Sequence, residues 1–258
     1  MITYSVIFSI NGMKTTTKRT ANKAKRIHQQ MTDSLFSDQS IAKDKQAMED
    51  WLHQKPNSTS VTEFTPGPGI AKLDLKFDIA RLRDALHICV SRQGYKGDMQ
   101  EEGFAALPLT RIPGNSEVSA NDLSGRYWLR PDDSYQEVAR EEFVNETAFS
   151  EFDPAFADTY FAEVHKALTA RFAIGRMRVL SKGSFNCNSW HRDPEPRLHI
   201  PIVTNPGSLF VVNHHVTHLP ADGSVYFTDT RGYHTAMNGG EQRRVHIVAA
   251  LPDGLVTS

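Results

Sequence analysis

Apolar and polar residues alternate through Leu73, Leu75 and Phe77, the two-residue period of a half-buried strand. The period then lengthens. Ile79, Leu82, Leu86 and Cys89 recur at helical spacing behind Asp78, which has the right side chain for an N-cap, and this predicts a helix running to about Arg92. Residues 103–112, GFAALPLTRI, read as extended. Asp153-Pro154 is a good helix start, and Phe161, Val164, Leu168 and Phe172 form the stripe that such a helix would bury. After Gly175 the pattern changes. RMRVL, RLHIPIVT, SLFVVN, SVYFTDT, YHTAMN and RRVHIVAAL are short β-rich runs broken by Gly, Pro and Asn. Their spacing leaves no room for crossover helices, so an antiparallel sandwich or barrel is expected rather than a parallel sheet.

The N-terminal part reads differently. Residues 2–10 have the β-branched content of a strand, and 18–32 and 40–54 look like polar helices with few apolar anchors. The Pro-, Gly- and Ser-rich stretch 56–69 is a loop, and it divides a basic N-terminal extension, 1–68, from the body of the chain, 69–258. The whole chain of 258 residues has a net charge of −1, but residues 1–31 hold six Lys/Arg and no acid. They carry +6 and leave −7 for the remainder. Two readings of that basic stretch stand: a solvated helix face, or a contact with nucleic acid or an acidic partner. It has no interleaved aromatics for base stacking, so nucleic acid is not favoured. Residues 132–163 hold ten acids and one Arg, read as solvated helix faces. No apolar run reaches the roughly 20 residues of a membrane span, and no signal peptide is evident. Two cysteines, Cys89 and Cys187, fit a reducing cytoplasm.

Seven of the eleven histidines lie between His191 and His246, which directs attention to chemistry there. In an extended chain His191 and Asp193 point to the same side. Asn238-Gly239-Gly240 is a hairpin signal, and a turn centred on Gly239 would set His234 opposite Arg244. Alternation puts His234, Ala236 and Asn238 on one face with Arg244, His246 and Val248, in a register that a one-residue slip would reverse. Two histidines and a carboxylate on a β scaffold match the facial triad of non-haem Fe(II) oxygenases. That triad leaves metal positions open for a 2-oxoacid cosubstrate and O2. Arg244 offers a planar fork for the cosubstrate's distal carboxylate.

On these residues the chain resembles the aspartyl/asparaginyl β-hydroxylase family of Fe(II)- and 2-oxoglutarate-dependent oxygenases. The likeness rests on RMRVL, HRD, RLHIPIVTNP, DTRGYHTAMNGG and RRVHIVAAL, and more weakly on KFDIARLRDAL and ALPLTRIPG. It spans roughly residues 70–251 and leaves 1–68 uncovered. The resemblance implies a mainly β fold with flanking helices, a double-stranded β-helix of the jelly-roll or cupin-like kind. It implies His191, Asp193 and His234 as iron ligands, and Arg244, assisted by Arg197 and His199, as the 2-oxoglutarate anchor. It implies hydroxylation of an amino acid or an Asp/Asn-like peptide side chain. Retention of Asp193 favours hydroxylation over halogenation. The segment SFNCNSW, 184–190, is longer than the family's usual connection at that point.

Other residues carry two readings each. Trp190, beside His191, is a substrate contact or a packing residue. His246 is an active-site group or a satisfied core histidine, and Asn238 serves the turn. The competing functions are a cupin-like zinc or nickel protein (an isomerase, a hydrolase or a binding module) and an oxygenase docking a nucleic-acid-associated target through residues 1–31.

Overall fold

The computed structural model describes residues 69–97, 103–117, 144–212 and 215–253, the short pieces 128–129 and 138–139, and the single residues Arg26 and Gln46. The chain divides into units 1–46 and 47–258, and the second contains the elements below. The extension 1–68, with its expected strand and helices, otherwise lies outside the described residues.

Strand β1, Ile70–Lys76, leads into helix α1, Ile79–Gln93. Asp78 caps α1 as expected, its carboxylate accepting from the backbone N–H of Ala80 at 2.8 Å and Arg81 at 3.2 Å. Strands β2, Phe104–Pro108, and β3, Thr110–Arg111, follow, then β4, Trp128–Leu129, β5, Val138–Ala139, and β6, Glu151–Phe152. Asp153-Pro154 starts only a single 3-10 turn, Pro154–Phe156, and helix α2, Tyr160–Thr169, begins afresh. The expected stripe is nonetheless the buried one: Phe161, Val164, Leu168 and Phe172 are all buried. The remaining strands are β7 (Met177–Lys182), β8 (Asn186–Cys187), β9 (His191–Arg192), β10 (Arg197–Val203), β11 (Ser208–Val212), β12 (His215–Thr217), β13 (Ser224–Thr228), β14 (His234–Asn238) and β15 (Arg244–Ala250).

All the described strand pairs are antiparallel. The larger sheet runs β1-β13-β10-β15-β7-β2, and the smaller runs β12-β11-β14-β9-β4-β5 with β8 also on β14. Consecutive strands alternate between the two sheets from β9 onward, apart from the β11–β12 hairpin. This is the winding of a double-stranded β-helix. One apolar core lies between α1, α2 and the outer face of the larger sheet, with Leu82, Cys89, Phe161 and Leu168 against Val179, Leu198, Ile200 and Ile247. A second, smaller core of Ile70, Phe210, Val212, Leu219, Tyr226 and Ala236 lies inside the barrel. On β10 and β15 the even and odd positions therefore face different surroundings. Leu198 and Ile200 meet the helices, whereas Arg197 and His199 turn inward.

The expected hairpin between β14 and β15 does not form. β14 pairs with β11, β9 and β8, and β15 with β10 and β7. The Asn238-Gly239-Gly240 turn instead carries the chain from one sheet to the other. A neighbouring loop stabilises it: Gly239 N–H donates to Gly207 O at 2.8 Å, and Asn205 Nδ2 donates to Asn238 Oδ1 at 2.9 Å. A Cβ on Gly240 would lie 2.1 Å from Asn205 Oδ1, so the position is small because the loop presses against it. The local turn signal is genuine, but its partner is a loop rather than its own flanking strand.

Phe161→Ala should lower unfolding stability by about 3–5 kcal/mol, because it empties the junction of both helices and the sheet. A denaturant titration would register this as a shift in midpoint with unchanged slope.

Candidate metal centre

Strand pairing assembles the centre. His191 on β9 stands directly opposite His234 on β14, and their ring centroids are 4.2 Å apart. Asp193 follows β9, its backbone N–H donating to Thr230 O at 2.7 Å, which ties it to the loop entering β14. One donor atom from each of His191, Asp193 and His234 lies within 4.8 Å of the others, and all three residues are buried. Asp193 Oδ2 is 3.7 Å from His234 Nε2.

The orientation of each ring is set by its other nitrogen. His191 Nδ1 is 2.7 Å from Ser189 O, and His234 Nδ1 is 3.1 Å from Gly232 O. A carbonyl can only accept, so both protons sit on Nδ1 and both Nε2 lone pairs are free for a metal. Phe210 stacks on His234 at 5.7 Å and fixes the ring from inside the barrel. Burial, then His191, push the His234 imidazolium down to about 4, so the ring is neutral at physiological pH.

Asp193 has one buried oxygen, Oδ1, with no hydrogen-bond partner among the described residues. Such an orphan is costly unless something completes it. Burial by itself would raise this carboxyl, but Arg197, then His234 and His191, outweigh burial and hold it below the usual carboxylate value. An ionised, partly unsatisfied carboxylate beside two neutral imidazoles is the donor set of a divalent transition metal, and the three residues fit one.

Arg197 lies behind Asp193. Its Nε is 3.4 Å from Asp193 Oδ2, and its guanidinium also reaches Glu195 and, at 3.2 Å, Glu146 Oε1. Glu146 in turn receives a bidentate pair from fully buried Arg176, at 2.9 and 2.6 Å. Glu146 is therefore not one of the solvated acids expected over 132–163. It belongs to a buried group in which two guanidinium groups face three carboxylates. Sequence reasoning missed it because its partners lie 30 and 51 positions away.

Arg244 is buried at the start of β15 in the larger sheet, not on a strand paired with His234. Its Nη2 donates to His246 Nδ1 at 2.9 Å, and burial lowers its pKa to about 10. His246 Nδ1 is also 3.4 Å from His199 Nδ1, and His199 packs on Phe210 at 5.0 Å. The barrel interior thus brings together Arg244, His246 and His199 and keeps Arg197 with the carboxylates. Trp190 is 38% exposed beside His191. His215 is on edge strand β12, His218 Nδ1 bonds Ser208 O at 3.0 Å, and His214 lies outside the described residues. Lys182 was not singled out in the sequence, yet it stands opposite Arg244.

The chain matches no protein-family model and no curated protein. Among solved structures it is similar to an oxidoreductase of the 2OG-Fe(II) oxygenase family from Burkholderia pseudomallei, at 17% identity over 79% of this chain and 88% of that one, with a TM-score of 0.39. It is also similar to AviO1 from Streptomyces viridochromogenes, at 17% identity over 74% and 93% and a TM-score of 0.37. A third is IDO from Bacillus thuringiensis, at 9% identity over 79% and 94%, with a TM-score of 0.38. Likenesses this distant carry no functional argument, and the chemistry rests on the side chains themselves. No helix among the described residues is long and apolar enough to cross a membrane.

Two stability predictions follow from this interior. Arg197→Met leaves Asp193, Glu195 and Glu146 short of a cation and should cost about 3–5 kcal/mol, measured by denaturant titration of the metal-free protein. His199 and His246 are held well below the ordinary histidine value, by burial and then by Arg244. The unfolded chain therefore binds protons near pH 6.5 that the folded chain does not, and stability falls as pH drops through that value. The Tm of the metal-free protein should be lower at pH 5 than at pH 7.

Proposed function

We propose that the protein is an Fe(II)- and 2-oxoglutarate-dependent dioxygenase that hydroxylates a substrate C–H bond. The observation that carries this reading is a buried three-donor cradle in the same barrel as a buried guanidinium, that of Arg244, with no carboxylate partner among the described residues. His191, Asp193 and His234 would hold the iron, and three protein donors leave positions for further ligands. Iron bound there supplies the oxidising chemistry, in which 2-oxoglutarate, O2 and R–H become succinate, CO2 and R–OH.

The chain's own residues do the rest. Ser189 O and Gly232 O keep both imidazoles in the tautomer that ligates. Arg197, itself held by Glu146 and Glu195, keeps Asp193 ionised and aimed. Arg244 binds the distal carboxylate of 2-oxoglutarate, with His246 accepting from one Nη2 proton and so turning the guanidinium. His199, packed against Phe210 and His246, lines the cosubstrate's path and excludes water from it. In this reading Arg197 supports the metal carboxylate more directly than the cosubstrate. Trp190 stands at the mouth as the substrate contact.

The substrate is an amino acid or an Asp/Asn-like side chain in a peptide, on the strength of the resemblance in HRD, RLHIPIVTNP and RRVHIVAAL. Free Cys89 and Cys187 fit a cytoplasmic location. A cupin-like isomerase, hydrolase or binding module would account for the metal donors but gives buried Arg244 no anion to meet.

Purified protein given Fe(II), O2 and 2-oxoglutarate should release succinate. His234→Ala should reduce that by about two orders of magnitude, since loss of even an outer partner of a metal ligand costs about 10–100-fold. Succinate release unchanged in His234→Ala, or an absence of 2-oxoglutarate binding, overturns the reading. A mass-spectrometric screen of amino acids and peptides for a +16 Da product identifies the substrate.

A further inference from the structure

The barrel holds a second group of charge that the metal centre does not use. Lys182 closes β7 and is paired directly with Arg244 at the start of β15. On an antiparallel pair such residues leave the same face with their Cβ atoms about 5 Å apart. Both side chains are buried. The Lys182 ammonium donates to Asn186 Oδ1 at 2.7 Å and to Asn188 Oδ1, both neutral amide oxygens. Arg244 likewise donates to a neutral group, the Nδ1 of His246. No carboxylate among the described residues pairs with either cation. The ionisable groups that act on Lys182 are Arg244 and Cys187, and burial together with Arg244 brings its ammonium down to about 8.

Two adjacent cations out of water repel each other and lose their hydration. The buried charge cluster around Glu146, by contrast, is built from opposite signs. The Lys182–Arg244 pair departs from that pattern, and an anion would restore it. The donor count agrees. Two amides take two of the three ammonium protons and leave one, and the Arg244 fork keeps further N–H groups beyond the one given to His246. Asn186 and Asn188 belong to the 184–190 segment between β7 and β9, so this segment fixes the ammonium in place without neutralising it.

We propose that Lys182 and Arg244 together bind the distal carboxylate of the oxoacid, and that Lys182 makes the site selective for dicarboxylic over monocarboxylic oxoacids. This rests on the dioxygenase reading above. A lone guanidinium satisfies one carboxylate by a bidentate contact. Adding an ammonium beside it makes the pocket costly to occupy with an apolar chain end, because both cations would then stay unpaired. Selectivity comes from that penalty.

The test measures binding of 2-oxoglutarate and 2-oxobutyrate to the full-length Fe(II) protein without oxygen, by calorimetry or competition. Lys182→Met should weaken 2-oxoglutarate by about tenfold or more and leave 2-oxobutyrate within about twofold. Lys182→Gln keeps a hydrogen-bonding end but drops the charge, and should give the same selective loss. A purely structural role for Lys182 would weaken both oxoacids alike, or neither. If Lys182→Met does not fold, Lys182→Gln decides. Binding of 2-oxoglutarate within about twofold of wild type in the deciding variant, or an equal loss of both oxoacids, overturns the role of Lys182 alone. Wild-type protein that binds neither oxoacid overturns the dioxygenase reading and the carboxylate assignment with it.

Discussion

Charge buried in a low-dielectric interior must be paired, and this barrel holds its carboxylates and its Lys182–Arg244 cations apart. Carboxylates gather near the end of β15, where Arg197 stands opposite Ala250. Cations gather at its start, where Lys182 stands opposite Arg244. Were Arg244 to reach Asp193, the two would satisfy each other and leave nothing for a metal or an anion. Rigid β pairing prevents this. Arg244 is anchored on β15, whose register is fixed by apolar neighbours facing the helices, and Asp193 is tied just after β9 by its backbone N–H to Thr230 O.

The two ends are supported in opposite ways. Around Asp193 the chain supplies counter-charge from afar: Glu146 and Arg176 join the group through contacts that bring residues 146, 176, 193 and 197 together. That network orients the carboxylate while leaving Oδ1 open. Around Lys182 the chain supplies only neutral acceptors. Amide oxygens hold the ammonium in position yet leave its charge intact, which is what an anion-binding position requires. The same physical cost, desolvation, is therefore met internally at one end and left standing at the other.

Much of this was legible locally. The α1 helix with its Asp78 cap, the buried stripe of α2 and the antiparallel β-rich half follow from period and turn chemistry. His191, Asp193 and His234 could be selected because residue type and i, i+2 spacing limit what metal chemistry can use. The hairpin was misread for a reason the structure makes plain. A Gly-rich turn fixes the reversal of the chain, but not which edges the flanking strands pair with. Here β14 pairs with β11, β9 and β8, and β15 with β10 and β7, so that the odd positions of β15 face the helix-packed core while β14 joins the other sheet. Glu146 and Lys182 were invisible for a related reason: Arg176 and Arg197, which meet Glu146, and Arg244, which stands opposite Lys182, are distant in sequence, and neither residue carries a spacing pattern of its own.

The sequence by itself determined the periodicities, the turns and the kinds of donor atom available. It also determined face parity along each strand, since alternation is a property of the extended backbone. The tertiary structure decided which faces meet: His191 against His234, Arg197 behind Asp193, and Lys182 beside Arg244. Those juxtapositions depend on strand order and register across two sheets, which are selected by the total apolar area buried and not by any local run of residues.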